Sequence, residues 1–269
     1  MKSNITMIVN SSDGFEDCWE PFFTLLKKNW PDFDYSLILN TEFKNYSFDG
    51  LKIVSSKVHE GILDRKLSWS ECLIKAIELV DTPLILYVQE DYFIEKPVLK
   101  DTIDEFSRLM EGGVIKYIGL TDIGNFGPFK NYEHDKRLVV VGNSKYRIST
   151  QAALWDKDTL LSYLRPAENG WMFEIFGTQR AKRRSDLFLT ANRLMYSSKN
   201  NPIITYMHTG IIKGQWHENI PELFKKENIS IDVSLRGIYK PKAFLRRKFE
   251  TGRKLLNNPL RFIIGMLGK

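Results

Sequence analysis

The sequence predicts an α/β fold with a mixed central sheet, followed by a basic amphipathic helix at the C-terminus. Three observations predict it. Short apolar runs that end in polar loops alternate with apolar stripes at helical spacing. With 269 residues and 43% apolar side chains, the chain can bury a sizeable core in one large domain. Residues 240–269 differ in composition from everything before them. With 27% charged and 13% aromatic residues and no low-complexity block, a largely disordered chain is excluded.

Ile5 to Val9 is a short apolar run that ends in Asn10-Ser11-Ser12-Asp13-Gly14, which reads as a buried strand feeding a polar loop. The next stretch is helical, because Phe15, Trp19, Phe22, Phe23, Leu26 and Trp30 share one face and Pro31 stops it. Tyr35 to Leu39 and Leu51 to Val54 are strand candidates. Ser68-Trp69-Ser70-Glu71 has the spacing of a capping box, with Leu73, Ile74, Ile77 and Val80 as the buried stripe of the helix it opens. Leu84 to Val88 is apolar on both faces, as a central strand should be, and stops at Gln89-Glu90-Asp91. Pro97 suits the first turn of a helix that runs to about Met110, where Gly112-Gly113 ends it. Ile115 to Leu120 and Leu138 to Val141 are later strands, and Ser149 to Trp155 is strand-like before a helix that Asp156 can cap.

The charge pattern narrows the partners. Residues 240–269 hold nine Lys or Arg against Glu250 alone, so the remaining 1–239 body carries 30 basic and 32 acidic side chains. The formal +6 charge therefore belongs to the tail, and nucleic acid is not expected as a partner of the body. On a helical wheel Phe244, Leu245, Phe249, Leu255 and Leu256 share a sector, with Arg246, Arg247, Arg253 and Lys254 mostly opposite. Such a segment suits an anionic membrane surface or the body of the protein itself. Cys18 and Cys72 have no zinc-type spacing and read as buried free thiols of a reducing compartment. Met1 to Asn4 runs straight into the first strand without a signal-peptide core, so a cytoplasmic chain, peripheral on the inner face of the cell membrane, is expected.

In an open α/β sheet the last residues of a central strand reach the crevice where ligands bind, so Glu90 and Asp91 occupy a functional location. Adjacent carboxylates suit Mg²⁺ or Mn²⁺ and the phosphates such ions carry, although exposed turn acids would look the same. Glu174 follows Trp171-Met172-Phe173. Partial desolvation there would raise a carboxylate toward the range of a general base, and Glu168 is the reserve. Glu174 could instead pair with Arg180. The run Arg180, Lys182, Arg183, Arg184 reads as a solvated helix face or as a source of a phosphate contact. His208 to His217 gathers two His, Lys213 and two Gly, a composition that suits a mobile loop closing on phosphates. His59 and His134 read as ordinary loop residues.

Four segments, Ile8-Val9-Asn10-Ser11, Gly61 to Arg65 leading into Trp69, Tyr87 to Phe93, and Trp171 to Glu174, resemble the nucleotide-sugar glycosyltransferases of the GT-A fold, particularly bacterial enzymes of lipopolysaccharide and capsule synthesis. The resemblance spans residues 5 to about 217. It implies a GT-A-like, Rossmann-like domain over 1–239 with the 240–269 tail as a membrane-surface anchor. It also implies donor contacts from Asn10, Ser11, Asp13, Asp64, Arg65, Trp69 and Glu90; from the residues themselves, Gln151 reads as floor of the sugar site or as part of a buried strand, and Arg180, His208 and Lys213 as further donor contacts. Asp91 would then be the metal ligand for Mg²⁺ or Mn²⁺, and Glu174 the base in transfer to a glycan hydroxyl with inversion. Gln89 stands where the first acid of the family's D-x-D motif would be. The alternatives are a sugar nucleotidyltransferase, against which the loop Asn10 to Gly14 lacks the expected Arg and Lys, and a non-catalytic membrane-peripheral binding module.

Overall fold

Four parallel strands, β1 (Ile5–Asn10), β2 (Ser36–Leu39), β3 (Ile53–Ser55) and β4 (Leu84–Gln89), form one half of the sheet. The computed structural model describes residues 3–62 and 64–240, so the amphipathic tail expected over 240–269 lies outside the described residues except for Lys240. Five more strands complete the sheet: β5 (Ile115–Gly119), β6 (Phe129–Asn131), β7 (Leu138–Val141), β8 (Ala153–Asp156) and β9 (Leu187–Ala191). The order is β3-β2-β1-β4-β8-β5-β9-β7-β6, with β8 antiparallel to both β4 and β5. The fold is thus mixed α/β, as the pattern of runs predicts.

The order reverses between β1 and β4: the chain steps outward from β1 to β2 and β3, then returns to place β4 on the other side of β1. A crevice opens beyond the carboxyl ends of strands at such a reversal. Asn10 pairs with Gln89 across it, so the last residues of both strands meet there. Both strands are buried nearly throughout, which is why their sequences lack alternation.

Five helices serve this sheet: α1 (Trp19–Asn29), α2 (Trp69–Glu78), α3 (Lys100–Met110), α4 (Lys157–Tyr163) and α5 (Gly170–Lys182). The capping box of α2 is complete: the Glu71 amide donates to Ser68 Oγ at 3.1 Å and the Ser68 amide to Glu71 at 2.8 Å. Arg65, then the Ser68 amide, hold the Glu71 carboxyl down at about 2. Asp156 caps α4, accepting from the Thr159 amide at 2.9 Å. Two expected helices start later than the sequence suggests. The stretch Asp13–Cys18 is a 3-10 segment with non-helical backbone at Phe15. Pro97 precedes α3, and the next two amides bind outside the helix, Val98 to the Asn29 carbonyl and Leu99 to that of Ile203.

Contacts divide the chain at His208. The unit that begins there contains the hairpin β10 (Ile211–Ile212) and β11 (Gln215–Trp216) and the helix α6 (Ile220–Lys226). Lys213 and Gly214 both have positive φ, 52° and 80°, the backbone of a two-residue type I′ turn. The segment expected to be a mobile loop is therefore a paired hairpin, with its Gly-containing turn at the tip. Trp216 is fully buried in this unit against Phe224. No helix among the described residues is long and apolar enough to cross a membrane.

Candidate active site

A chain of buried and half-buried polar side chains runs along the carboxyl edge of the parallel strands. Ser56, after β3, donates to Asn40 Oδ1 at 2.9 Å; Asn40, after β2, donates to Asn10 Oδ1 at 2.8 Å. Asn10 and Gln89 each donate a side-chain N–H to the Tyr87 hydroxyl at 3.2 Å. Each strand end contributes one member. Buried polar groups persist only when satisfied, and this network fixes the floor of the crevice as a polar surface of defined geometry. Asn10, expected in the donor site, is therefore present at the crevice but engaged on both sides. Asn40 and Tyr87 were not singled out from the sequence. A polar residue directly after a buried apolar strand was the available signal for Asn40, the same one that marks Asn10.

Glu90 and Asp91 follow β4 and are 7% and 5% exposed, so the reading of exposed turn acids is excluded. Two adjacent, largely desolvated carboxylates at a strand end are a hard-oxygen donor set. Mg²⁺ is commonly held by one or two carboxylates, with water and phosphate completing its shell. The donor set fits such an ion, although among the described residues no group of three or more His, Cys, Asp or Glu converges on one point. Gln89, in the place of the first acid of a D-x-D motif, is turned to Tyr87.

The antiparallel partner β8 brings the preceding segment, Ser149 to Ala152, beside the end of β4. Tyr92 donates to the Thr150 carbonyl at 3.0 Å. Gln151, expected to floor the sugar site, has both amide atoms engaged, donating to Tyr92 Oη at 3.2 Å and accepting from Tyr206 Oη at 3.1 Å. The two tyrosine rings stack at 4.3 Å, and this closed arrangement makes Gln151 part of the scaffold.

Glu174 joins the same region from α5. Its Oε1 accepts from the Thr150 amide at 2.8 Å and from Thr150 Oγ1 at 3.0 Å, and Ser149 adds a further hydrogen bond. Burial nevertheless dominates and raises the carboxyl above the ordinary range. Its charge also contributes to the upward shifts of the Tyr87, Tyr92 and Tyr117 phenols, which burial chiefly causes. Glu174 thus faces the tyrosine-lined ground beside the end of β4.

The remaining expected residues lie differently. Arg180, read as part of a solvated face or as a phosphate contact of the donor, is buried, with both terminal nitrogens on Glu168 at 2.6 Å and the Tyr163 carbonyl as a third partner at 2.7 Å. Glu168, the reserve base, is thereby neutralised, and the pairing considered for Glu174 falls to Glu168 instead. The Asp13 carboxylate gathers the amides of Glu42, Phe43 and Lys44, fixing the turn after β2. Ser11 accepts from Trp19 Nε1 at 2.8 Å. Asp64 and Arg65 are exposed, and Arg65 forms a two-pronged ion pair with Glu71. Trp69 opens α2 and packs against Phe173 and Gly170. His208 and Lys213 are exposed residues of the second unit. His59, read as an ordinary loop residue, is buried and accepts the Leu67 amide at Nε2. Cys18 is a buried free thiol, whereas Cys72 is half-buried, and burial pushes its thiol up to about 11.

No family model and no curated protein matches the sequence. Among solved structures, the chain is similar to Staphylococcus aureus TarS 1–349 in complex with UDP, at TM-score 0.47 and 12% identity, over 88% of this chain and 68% of that one. It is similar to glucosyl-3-phosphoglycerate synthase from Mycobacterium tuberculosis in complex with Mn²⁺ and UDP-glucose, at TM-score 0.46 and 12% identity, over 88% and 80%. A mycobacterial protein gives TM-score 0.43 and 13% identity over 70% of this chain, which spans 64% of that one's length. At these values the likeness identifies neither a family nor a substrate for this chain.

Proposed function

We propose that the chain is a glycosyltransferase that moves a sugar from a nucleotide-diphosphate sugar to a hydroxyl of a surface glycan of the lipopolysaccharide or capsule type, with inversion at the sugar carbon. The observation that carries the reading is the meeting of two differently prepared sets of carboxylates at one sheet edge. Glu90 and Asp91 are buried neighbours at the carboxyl ends of the paired strands β1 and β4, and Glu174 is a single acid, desolvated by burial, held by Thr150 and Ser149. Donor chemistry needs the first arrangement, because a diphosphate leaving group requires its charge balanced. Acceptor chemistry needs the second, because a hydroxyl becomes a nucleophile only as its proton is removed.

Asp91, with Glu90 beside it, would hold Mg²⁺ or Mn²⁺, which when bound neutralises the diphosphate as the sugar bond breaks. The polar floor of Asn10, Asn40 and Tyr87 orients the nucleotide end of the donor. Glu174 takes the acceptor proton while the acceptor oxygen attacks the sugar carbon from the side opposite the diphosphate. A base opposite a leaving group gives inversion. The basic residues of 240–269 hold the enzyme at the anionic inner face of the cell membrane, where a lipid-linked acceptor would be met; each contributes about 1 kcal/mol near such a surface.

Thermal denaturation across a panel of nucleotides and nucleotide sugars, with and without Mn²⁺, tests the donor half. Saturation at about 100 times the dissociation constant stabilises by about 2.7 kcal/mol, a readable shift. One nucleotide sugar is expected to stabilise the chain, more so with Mn²⁺, and Asp91→Asn is expected to remove the Mn²⁺ increment. A flat response across the panel overturns the reading.

A further inference from the structure

Between β5 and β6 the chain crosses the site as a loop that is held firmly yet presents an aromatic ring to solvent. Asn125 is fully buried and ties the loop down on three sides: it accepts from the Tyr117 hydroxyl at 3.1 Å and donates to the Arg147 carbonyl at 3.0 Å and the Tyr146 carbonyl at 3.4 Å. Arg193 donates to the Asn125 carbonyl. Asp122 is fixed by the amide and hydroxyl of Ser198, at 2.9 and 3.0 Å. Gly124 lies directly on the segment that holds Glu174: a Cβ there would come within 3.4 Å of Gln151 and 3.5 Å of Ser149.

From this anchored loop Phe126 projects 52% exposed. Its ring meets that of Tyr146 at 5.6 Å with an interplanar angle of 49°. Tyr146 has φ of 53°, a backbone state that a bulky aromatic residue rarely adopts. Asn125 binds the carbonyls of Tyr146 and Arg147 and so holds this turn to the loop that carries Phe126. Gly124 packs on Ser149 and Gln151, which flank the Thr150 that binds Glu174, and Asn125 ties Tyr146 to the same loop, so the pair lies on the loop that covers the Glu174 segment. A single exposed phenylalanine needs no explanation. Two rings brought together by a buried asparagine, one of them in an unfavourable backbone state, beside the candidate base, do.

We infer that Phe126 and Tyr146 form an aromatic platform that docks one face of a sugar ring of the acceptor glycan, holding its hydroxyl toward Glu174. A pyranose presents an apolar C–H face and an equatorial rim of hydroxyls. The apolar face matches an exposed aromatic ring, and the Tyr146 hydroxyl can pair with the rim. The inference rests on the glycosyltransferase reading for its occupant, and it adds the acceptor subsite to that reading.

Saturation-transfer NMR on the full chain with the methyl glycosides of glucose, galactose and N-acetylglucosamine tests it without using turnover. At least one glycoside is expected to receive saturation on the ring protons of a single face. Phe126→Ala is expected to weaken that glycoside roughly tenfold, and Phe126→Trp to restore it. Because the Phe126 side chain is half in solvent, circular dichroism should show both variants folded. Equal binding by Phe126→Ala and the parent, or no saturation of any of the three by the parent, overturns the platform. Nucleotide-sugar stabilisation, measured on the same samples, separates the two readings. Glycosides that bind through Phe126 while no nucleotide stabilises the chain leave the platform standing as a carbohydrate surface and remove the donor assignment.

Discussion

Glu174 and Asp91 are both acids near the carboxyl ends of the parallel strands, and their surroundings differ. Asp91 has Glu90 as its chain neighbour, and both are buried just past the end of β4. Glu174 stands on a helix where Thr150 and Ser149 donate to its carboxylate, and burial outweighs them in raising its pKa. Glu174→Gln keeps the Oε1 acceptor for Thr150 and removes the proton-accepting function. A turnover loss of about 10²- to 10⁴-fold is expected, with donor affinity nearly unchanged in a nucleotide titration. The pH dependence has a definite sign. The folded value lies above the unfolded one, so the native state keeps its proton over a wider range, and stability falls as pH rises from the ordinary carboxylate range through the folded value. Turnover needs the ionised form and rises across the same window. Denaturation and rate profiles over that window should both flatten in Glu174→Gln; a variant that turns over like the parent places the base elsewhere.

The helix that carries Glu174 is positioned by an ion pair rather than by an apolar stripe alone. Arg180 and Glu168 are both buried, and together with the Tyr163 carbonyl they join the C-terminal half of α5 to its approach and to the end of α4. Arg180→Met leaves the Glu168 charge buried without its partner, which costs about 3–5 kcal/mol in such settings. Chemical denaturation is expected to show that loss, and replacing Glu168 by Met as well should recover much of it. Full stability with weakened donor binding in Arg180→Met would instead mark Arg180 as a phosphate contact. This pair also shows where sequence reading stops. The strand ending in Gln89-Glu90-Asp91, the Ser68 capping box and the Asp156 cap were legible because each is a local pattern along the chain. The partner of Arg180 was not, since an arginine after an apolar helix looks the same whether it faces water or an acid 12 positions earlier. The short edge strand β6 and the hairpin at Ile211–Trp216 were missed for a related reason, because two or three residues give periodicity nothing to count.

At the scale of the whole molecule, the sheet order decides which of these local features meet. Asn10 and Gln89 are far apart in sequence and become neighbours only because the chain reverses its direction of winding between β1 and β4. The antiparallel insertion of β8 then places Thr150 beside Tyr92, and α5 follows within the same stretch of chain. An α/β pattern with a mixed sheet was readable from the alternation of runs, but β8 entering next to β4 was not, because strand order is a property of pairing and not of composition. Charge is distributed on the same scale. The body is close to neutral and the basic excess sits in residues 240–269, so association with an anionic surface should be governed by the tail and by salt. Exposed charges are screened over about 10 Å at 0.1 M ionic strength. The full chain is therefore expected to sediment with vesicles of phosphatidylglycerol and phosphatidylethanolamine at low salt and to be released progressively as salt rises. Replacing Arg246, Arg247, Arg253 and Lys254 together by Gln removes four positive charges while leaving Phe244, Leu245, Phe249, Leu255 and Leu256 in place. If each charge contributes about 1 kcal/mol near the surface, retention should drop by roughly a thousandfold, far beyond what a change in apolar contact could imitate. Equal retention by the substituted chain at every salt concentration would show that the tail charge does not bring this protein to a membrane.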